Sequence, residues 1–116
     1  RAAAENTRLV VEFTGSTWCP PCKALHAEVL TSAEFKAWAQ DKVLVMLDFP
    51  RAGERTPEKV AANPELAKLM KLKDEFGVSG FPTLFVFDPA GRPLGKQVGY
   101  GRGQGPAAYL KQLGVD

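Results

Sequence analysis

Thr17-Trp18-Cys19-Pro20-Pro21-Cys22-Lys23 contains both cysteines of this 116-residue chain, two residues apart. Before it runs Leu9-Val10-Val11-Glu12-Phe13, an apolar stretch whose β-branched residues read as a buried strand. After it, from Pro20 onward, Leu25, Val29 and Leu30 give a helix with one apolar face. Proline suits a first helical turn, where its missing N–H would have had no partner. The cysteine pair thus sits where a strand hands over to a helix. Unpaired N–H groups at a helix start carry partial positive charge and stabilise a thiolate placed there. Cys19 is therefore expected to ionise more readily than a free cysteine. Two intervening residues let Cys22 reach back and close a disulfide with it.

Other chemistries also use paired cysteines. A zinc site usually needs four ligands, and here only His26 and an acid are left to complete one, so no metal is expected. Haem attachment requires a histidine where Lys23 stands. A purely structural bridge closing so small a loop restricts the unfolded chain very little. A redox dithiol is the favoured reading, with the Cys19–Cys22 disulfide itself as the redox group and no separate cofactor.

Beyond the cysteines, three landmarks carry a resemblance. Trp18-Cys19-x-Pro21-Cys22-Lys23 resembles the thioredoxin active site. Gly80-Phe81-Pro82-Thr83 resembles that family's loop with a cis proline facing the cysteines, and Val98-Gly99 its glycine beside the site. The Phe13-Thr14-Gly15-Ser16 lead-in and Leu47-Asp48-Phe49-Pro50 look more like a bacterial branch. That branch is similar to the C-terminal domain of thiol:disulfide interchange protein D. The resemblance spans roughly residues 9 to 113. It implies a thioredoxin fold of the α/β class: a four-stranded mixed sheet, two parallel strands plus an antiparallel hairpin, with helices on both faces.

Length and composition fit one domain over residues 1–116, with 1–8 as a flexible N-terminal tail. A net charge of +2 is too small to argue for nucleic acid, and no apolar run approaches a membrane span. A monomer is expected. With no cysteine beyond the pair, the chain suits a periplasmic or otherwise exported setting, where a stray thiol would mispair; the same dithiol chemistry also runs in the cytoplasm.

Along the chain, Thr31-Ser32-Ala33-Glu34 reads as a capping box that bends the first helix and restarts it through Phe35, Trp38 and Ala39, with Trp38 in the core. Val43 to Phe49 has almost no polar alternation, the pattern of a parallel strand covered on both faces. Residues 50–62 form a long polar surface excursion, either a variable loop or a partner-docking one. Asn63-Pro64-Glu65 starts a helix that Gly77 stops. Strands follow at 83–87 and about 94–99, joined by the Asp88-Pro89-Ala90-Gly91 turn, and Pro106 opens a last helix. Gly101-Arg102-Gly103-Gln104-Gly105 follows an edge strand and lacks a suitably placed lysine, so it reads as a flexible loop and not as a phosphate cradle.

Glu12 is the anomaly of the first strand. Either it stands at a strand end with its carboxylate in water, or it matches the family's buried acid, which relays a proton behind the cysteines. The family's lysine near position 46 has no counterpart in Met46. His26 reads as a solvated helix residue, with help to Cys22 or to a partner as the alternative. The resemblance assigns Cys19 as nucleophile, Cys22 as resolving thiol and Glu12 as proton acceptor. It makes Trp18, Pro20, Pro21, Phe81, Pro82 and Gly99 the substrate-binding surface. Pro20 removes one N–H and stiffens the loop, so only N–H groups from Cys22 onward remain to stabilise the Cys19 thiolate. That favours a reductase or electron shuttle, with a potential of roughly −200 to −270 mV, over a strong oxidant. Its partners would be protein disulfides or dithiols and an upstream thiol reductant. An exported reductase of cytochrome c maturation and a non-catalytic adaptor of the same fold are the alternatives.

Overall fold

Strand β1 (Arg8–Thr14) is the middle of everything that follows. In the computed structural model, which describes residues 7–114, it pairs in parallel with β2 (Lys42–Asp48) and antiparallel with β3 (Thr83–Phe87). β3 pairs antiparallel with β4 (Pro93–Val98), giving the sheet order β2-β1-β3-β4. The helices are α1 (Pro20–Leu25), α2 (Ala33–Ala39), α3 (Pro57–Ala62), α4 (Pro64–Glu75) and α5 (Pro106–Leu113). Most of the expected tail lies outside the described residues, and Arg8 already pairs with Lys42.

Side chains alternate across a strand, so β1 feeds two cores. Val10 and its face meet Ala24, Leu25, Val29, Phe35, Tyr109 and Leu113 from α1, α2 and α5 and the turn between α1 and α2. Val11 and Phe13 face the other way, with Phe49, Val78, Phe85 and the partly buried Leu69, Met70 and Phe76 of α4. Phe13 is fully buried, its ring centroid 5.3 Å from that of Phe76, 5.9 Å from Phe85 and 6.0 Å from Phe49. The period of two puts Glu12 on Val10's face, toward α1 and α5.

Three expectations are corrected. β2 is an edge of the described sheet and is not covered on both faces: Leu44, Val45 and Met46 are 43, 37 and 45% exposed. An apolar run states what a strand can bury, not what is there to bury it. The first helix breaks off at Thr31 and restarts as α2, as expected. It ends in a π turn, His26–Leu30, closed by the Thr31 N–H to the His26 carbonyl at 3.2 Å. The cap of α2 is Ser32, whose Oγ accepts from the Phe35 N–H at 3.1 Å, one residue later than the Thr31 capping box. Trp38 is only partly buried, with Phe35 beneath it in the core and the Lys42 ammonium 4.3 Å above its ring. Asn63 caps α4 as its sequence requires, accepting from the N–H groups of Glu65 and Leu66.

Candidate active site

Cys19 is the N-cap of α1, and its Sγ accepts from the Cys22 N–H at 3.3 Å. Pro20 and Pro21 carry no N–H, so Cys22 offers the first donor of the helix. The two sulfurs are bonded, with their Cα atoms 5.2 Å apart. Cys22 is fully buried and takes an N–H from Gly15 at 3.4 Å; Cys19 retains 4% exposure. The more accessible sulfur is thus the one at the helix cap.

The lead-in loop is tied at several points. Gly15 O accepts the N–H of Cys19 at 2.9 Å and of Trp18 at 3.2 Å. A Cβ on Gly15 would overlap the Trp18 indole, so this position has room only for hydrogen. Asp48, at the end of β2, receives the Ser16 N–H at 2.9 Å and the Ser16 hydroxyl. Trp18 Nε1 donates to Phe49 O at 2.7 Å, which fixes the indole as a wall beside Cys19.

The second wall is Phe81, edge-on to Trp18 with centroids 5.8 Å apart. Its carbonyl oxygen lies 3.9 Å from Cys19 Sγ. The Phe81–Pro82 peptide is cis, and Pro82 is buried. Gly99 donates to the Pro82 carbonyl at 2.7 Å and has a φ of 79°. Nothing lies within 4 Å of where its side chain would be, so its backbone conformation is what favours glycine there. A cavity of about 170 Å³ is lined by Pro20, Pro21, Ala24, Tyr100 and Arg102. Trp18, Pro20 and Pro21 flank the cysteines in the chain, the Phe81 carbonyl lies beside Cys19, and Pro82 and Gly99 follow behind Phe81.

Arg55 was not foreseen. It comes from the 50–62 excursion, which holds a 3₁₀ turn, Ala52–Glu54, and α3. Its guanidinium carbon stands 5.8 Å from the Trp18 ring and 5.3 Å from the Phe81 ring, so the excursion reaches the wall of the site. The glycine loop 101–105 is also anchored. Glu28 accepts from the Tyr100 hydroxyl at 2.6 Å and the Gly103 N–H at 2.8 Å, which holds its carboxyl below the usual range. A backbone N–H of this loop is thereby spent on a carboxylate of the chain itself.

Glu12 is fully buried, which removes the reading of a strand-end carboxylate in water. His26, read as a solvated residue, is its partner: Nε2 lies 2.8 Å from Glu12 Oε2, and the histidine side chain is only 28% exposed. Oε1 has no hydrogen-bond partner among the described residues. Burial raises the Glu12 carboxyl above its ordinary value; the His26 contact pulls it down, and the Asp48 charge adds to the rise. The sequence held a signal for this pair. A lone acid in an apolar strand must find a partner, and the chain has a single histidine, four residues after Cys22.

The raised carboxyl has a consequence for stability. The unfolded chain releases this proton at the ordinary glutamate value, while the native chain keeps it to higher pH. The contribution is fully present below the ordinary value and is lost as pH rises through the native one. Glu12→Gln cannot ionise and removes that loss. Urea midpoints measured from pH 5 to 8 should show Glu12→Gln gaining on the parent protein as pH rises. A constant difference would contradict the assignment.

Comparison with known proteins agrees with this geometry. Residues 1–114 match the thioredoxin-like domain family. Disulfide bond reductase DsbH of Chlamydia pneumoniae is 35% identical over 102 residues, covering 87% of this chain and 57% of that protein. The chain thus spans a little over half the length of that relative. Thioredoxin H4 of Arabidopsis thaliana is 29% identical over 115 residues, covering 99% of this chain and 79% of that one. A solved structure of a DsbH oxidoreductase superposes with a TM-score of 0.73 at 30% identity, covering 96% of this chain and 72% of that one.

Proposed function

Given that the chain belongs to the thioredoxin-like domain family, we propose that it is a thiol–disulfide oxidoreductase that reduces protein disulfides through Cys19 and Cys22. The observation that carries this reading is Cys19 Sγ at the cap of α1, on the Cys22 N–H and beside the Phe81 carbonyl. A thiolate formed there meets an N–H dipole aimed at it, with an open main-chain acceptor alongside for an extended substrate.

The reaction runs in two exchanges. The Cys19 thiolate attacks one sulfur of a partner disulfide; that S–S bond breaks, and the displaced thiolate takes a proton from water. Cys22 then attacks Cys19, forming the internal disulfide and expelling the second partner sulfur as a thiolate. The proton leaving Cys22 goes to Glu12. An upstream thiol reductant returns two electrons to the Cys19–Cys22 disulfide, and no further cofactor is needed. Trp18, Pro20, Pro21, Phe81, Pro82 and Gly99 form the surface on which the partner lies, working as a monomer.

The reductive direction is supported by the relative named as a disulfide bond reductase and by the two prolines, which limit the N–H groups available to the thiolate. An exported location is supported by the absence of any third cysteine. Among the described residues no helix is long and apolar enough to cross a membrane. An insulin-reduction assay with dithiothreitol tests the reading. The chain should accelerate precipitation well above dithiothreitol alone. No acceleration would leave the fold as an adaptor, docking partners by the 50–62 excursion.

A further inference from the structure

Glu12 poses a problem that the proposed chemistry does not solve. A fully buried carboxylate can take a proton from Cys22 once, but a cycle requires the proton to leave. Val10 and Val86 share the core on that side, Tyr109 is fully buried, and its hydroxyl has no partner among the described residues. His26 is the side chain that touches both Glu12 and solvent, being bonded to Oε2 at 2.8 Å and 28% exposed.

We propose that His26 is a positioning residue and proton exit for this site: it holds Glu12 by Oε2, leaves Oε1 for the Cys22 proton, and exchanges that proton with water. The inference rests on the dithiol reading above. Its geometry comes from α1. The His26 N–H bonds the Cys22 carbonyl, so the two residues are one turn apart on the same helix face. Glu12, gripped by His26, thereby lies against the helix turn that carries Cys22. The π turn begins at His26 itself.

The proton balance closes. In the dithiol form Cys22 carries its S–H, and Glu12 and His26 are joined by their hydrogen bond. As Cys22 attacks Cys19 in the mixed disulfide, its proton passes to Glu12 Oε1 and the partner departs as a thiolate. One proton then leaves the hydrogen-bonded Glu12–His26 pair for water through the exposed imidazole, so the pair holds as many protons as before. Reduction reverses this: Cys22 leaves as a thiolate and takes a proton from the pair, which regains one from water through His26. Other groups act on Glu12 from each packed element. Asp48 at the end of β2 favours its acid form, and Tyr109 from α5 is itself held protonated by burial and by the Glu12 charge. His26 is the group that favours the carboxylate.

The test separates the two exchanges. Mixed-disulfide formation and its resolution are followed by rapid acid quench between pH 5 and 9, in the parent chain, His26→Ala and His26→Gln. The glutamine keeps an N–H donor toward Oε2 without a titrating ring, so it serves if the alanine variant does not fold. Both variants should attack normally but resolve about tenfold or more slowly at pH 7, a part of what general acid–base help provides. The acid limb of the resolution profile should move up by about one pH unit or more, because the His26 contact that favours the carboxylate is gone. Unchanged resolution rate and acid limb in a folded variant would overturn the inference while leaving the dithiol reading intact. If the parent chain itself forms no mixed disulfide, the dithiol reading fails and the inference with it.

Discussion

Cys22→Ser will accumulate covalent complexes with disulfide-containing proteins, while Cys19→Ser will accumulate none, and both will lose insulin reduction. The asymmetry follows from the positions of the sulfurs. Cys19 Sγ is the one at the helix cap and beside the Phe81 carbonyl, whereas Cys22 is fully buried and bonded by the Gly15 N–H. With Cys22 gone, the first exchange proceeds and the second has no attacking thiol. With Cys19 gone, the remaining sulfur cannot reach a partner at all. Turnover should fall by a factor of about a thousand or more in each, as expected when one member of a two-part nucleophilic device is removed. Non-reducing gels after incubation with insulin read the difference directly. Equal trapping by the two variants would exchange or abolish the assigned roles.

Phe13→Ala will cost the fold about 3–5 kcal/mol, the range for removing a fully buried aromatic ring. Phe13 contacts three other rings, and it sits between the strand that leads into the cysteine loop and the helix α4. For a domain of this size that cost lowers Tm by about 10–25 °C. Thermal melts by circular dichroism measure it. The other face of β1 offers a control: Met46, on the neighbouring strand, is 45% exposed, so Met46→Ala should change Tm by no more than about 2 °C. A large effect at Met46 and a small one at Phe13 would mean that β2 is covered and the second core is misassigned.

The parts legible in the sequence were those written in local terms. Helix caps, turn residues and the cysteine spacing are decided within a few positions, and Asn63, the Asp88 turn and the Cys19 cap all stand where their residue types require. Pro82 and Gly99 were legible through their resemblance to a known pattern. What was missed involves distant partners. Whether Leu44 to Met46 are covered depends on whether anything lies beyond β2, which no property of the strand encodes. The pairing of Glu12 with His26 joins a strand to a helix across 14 residues, and its cue was the cost of burying an unpartnered acid. Arg55 reaches the site from an excursion whose composition marks it only as polar surface. The π turn at His26–Leu30 packs Val29 and Leu30 into the core on Val10's face and has no sequence signature of its own.

The reductive, catalytic nature of the Cys19–Cys22 pair is tested most directly by its reduction potential. Equilibration of the chain in glutathione or dithiothreitol buffers, quenched by alkylation and read by mass, should show one two-electron transition between roughly −200 and −270 mV. A transition below about −300 mV, where structural disulfides lie, or no reversible transition at all, would contradict the account.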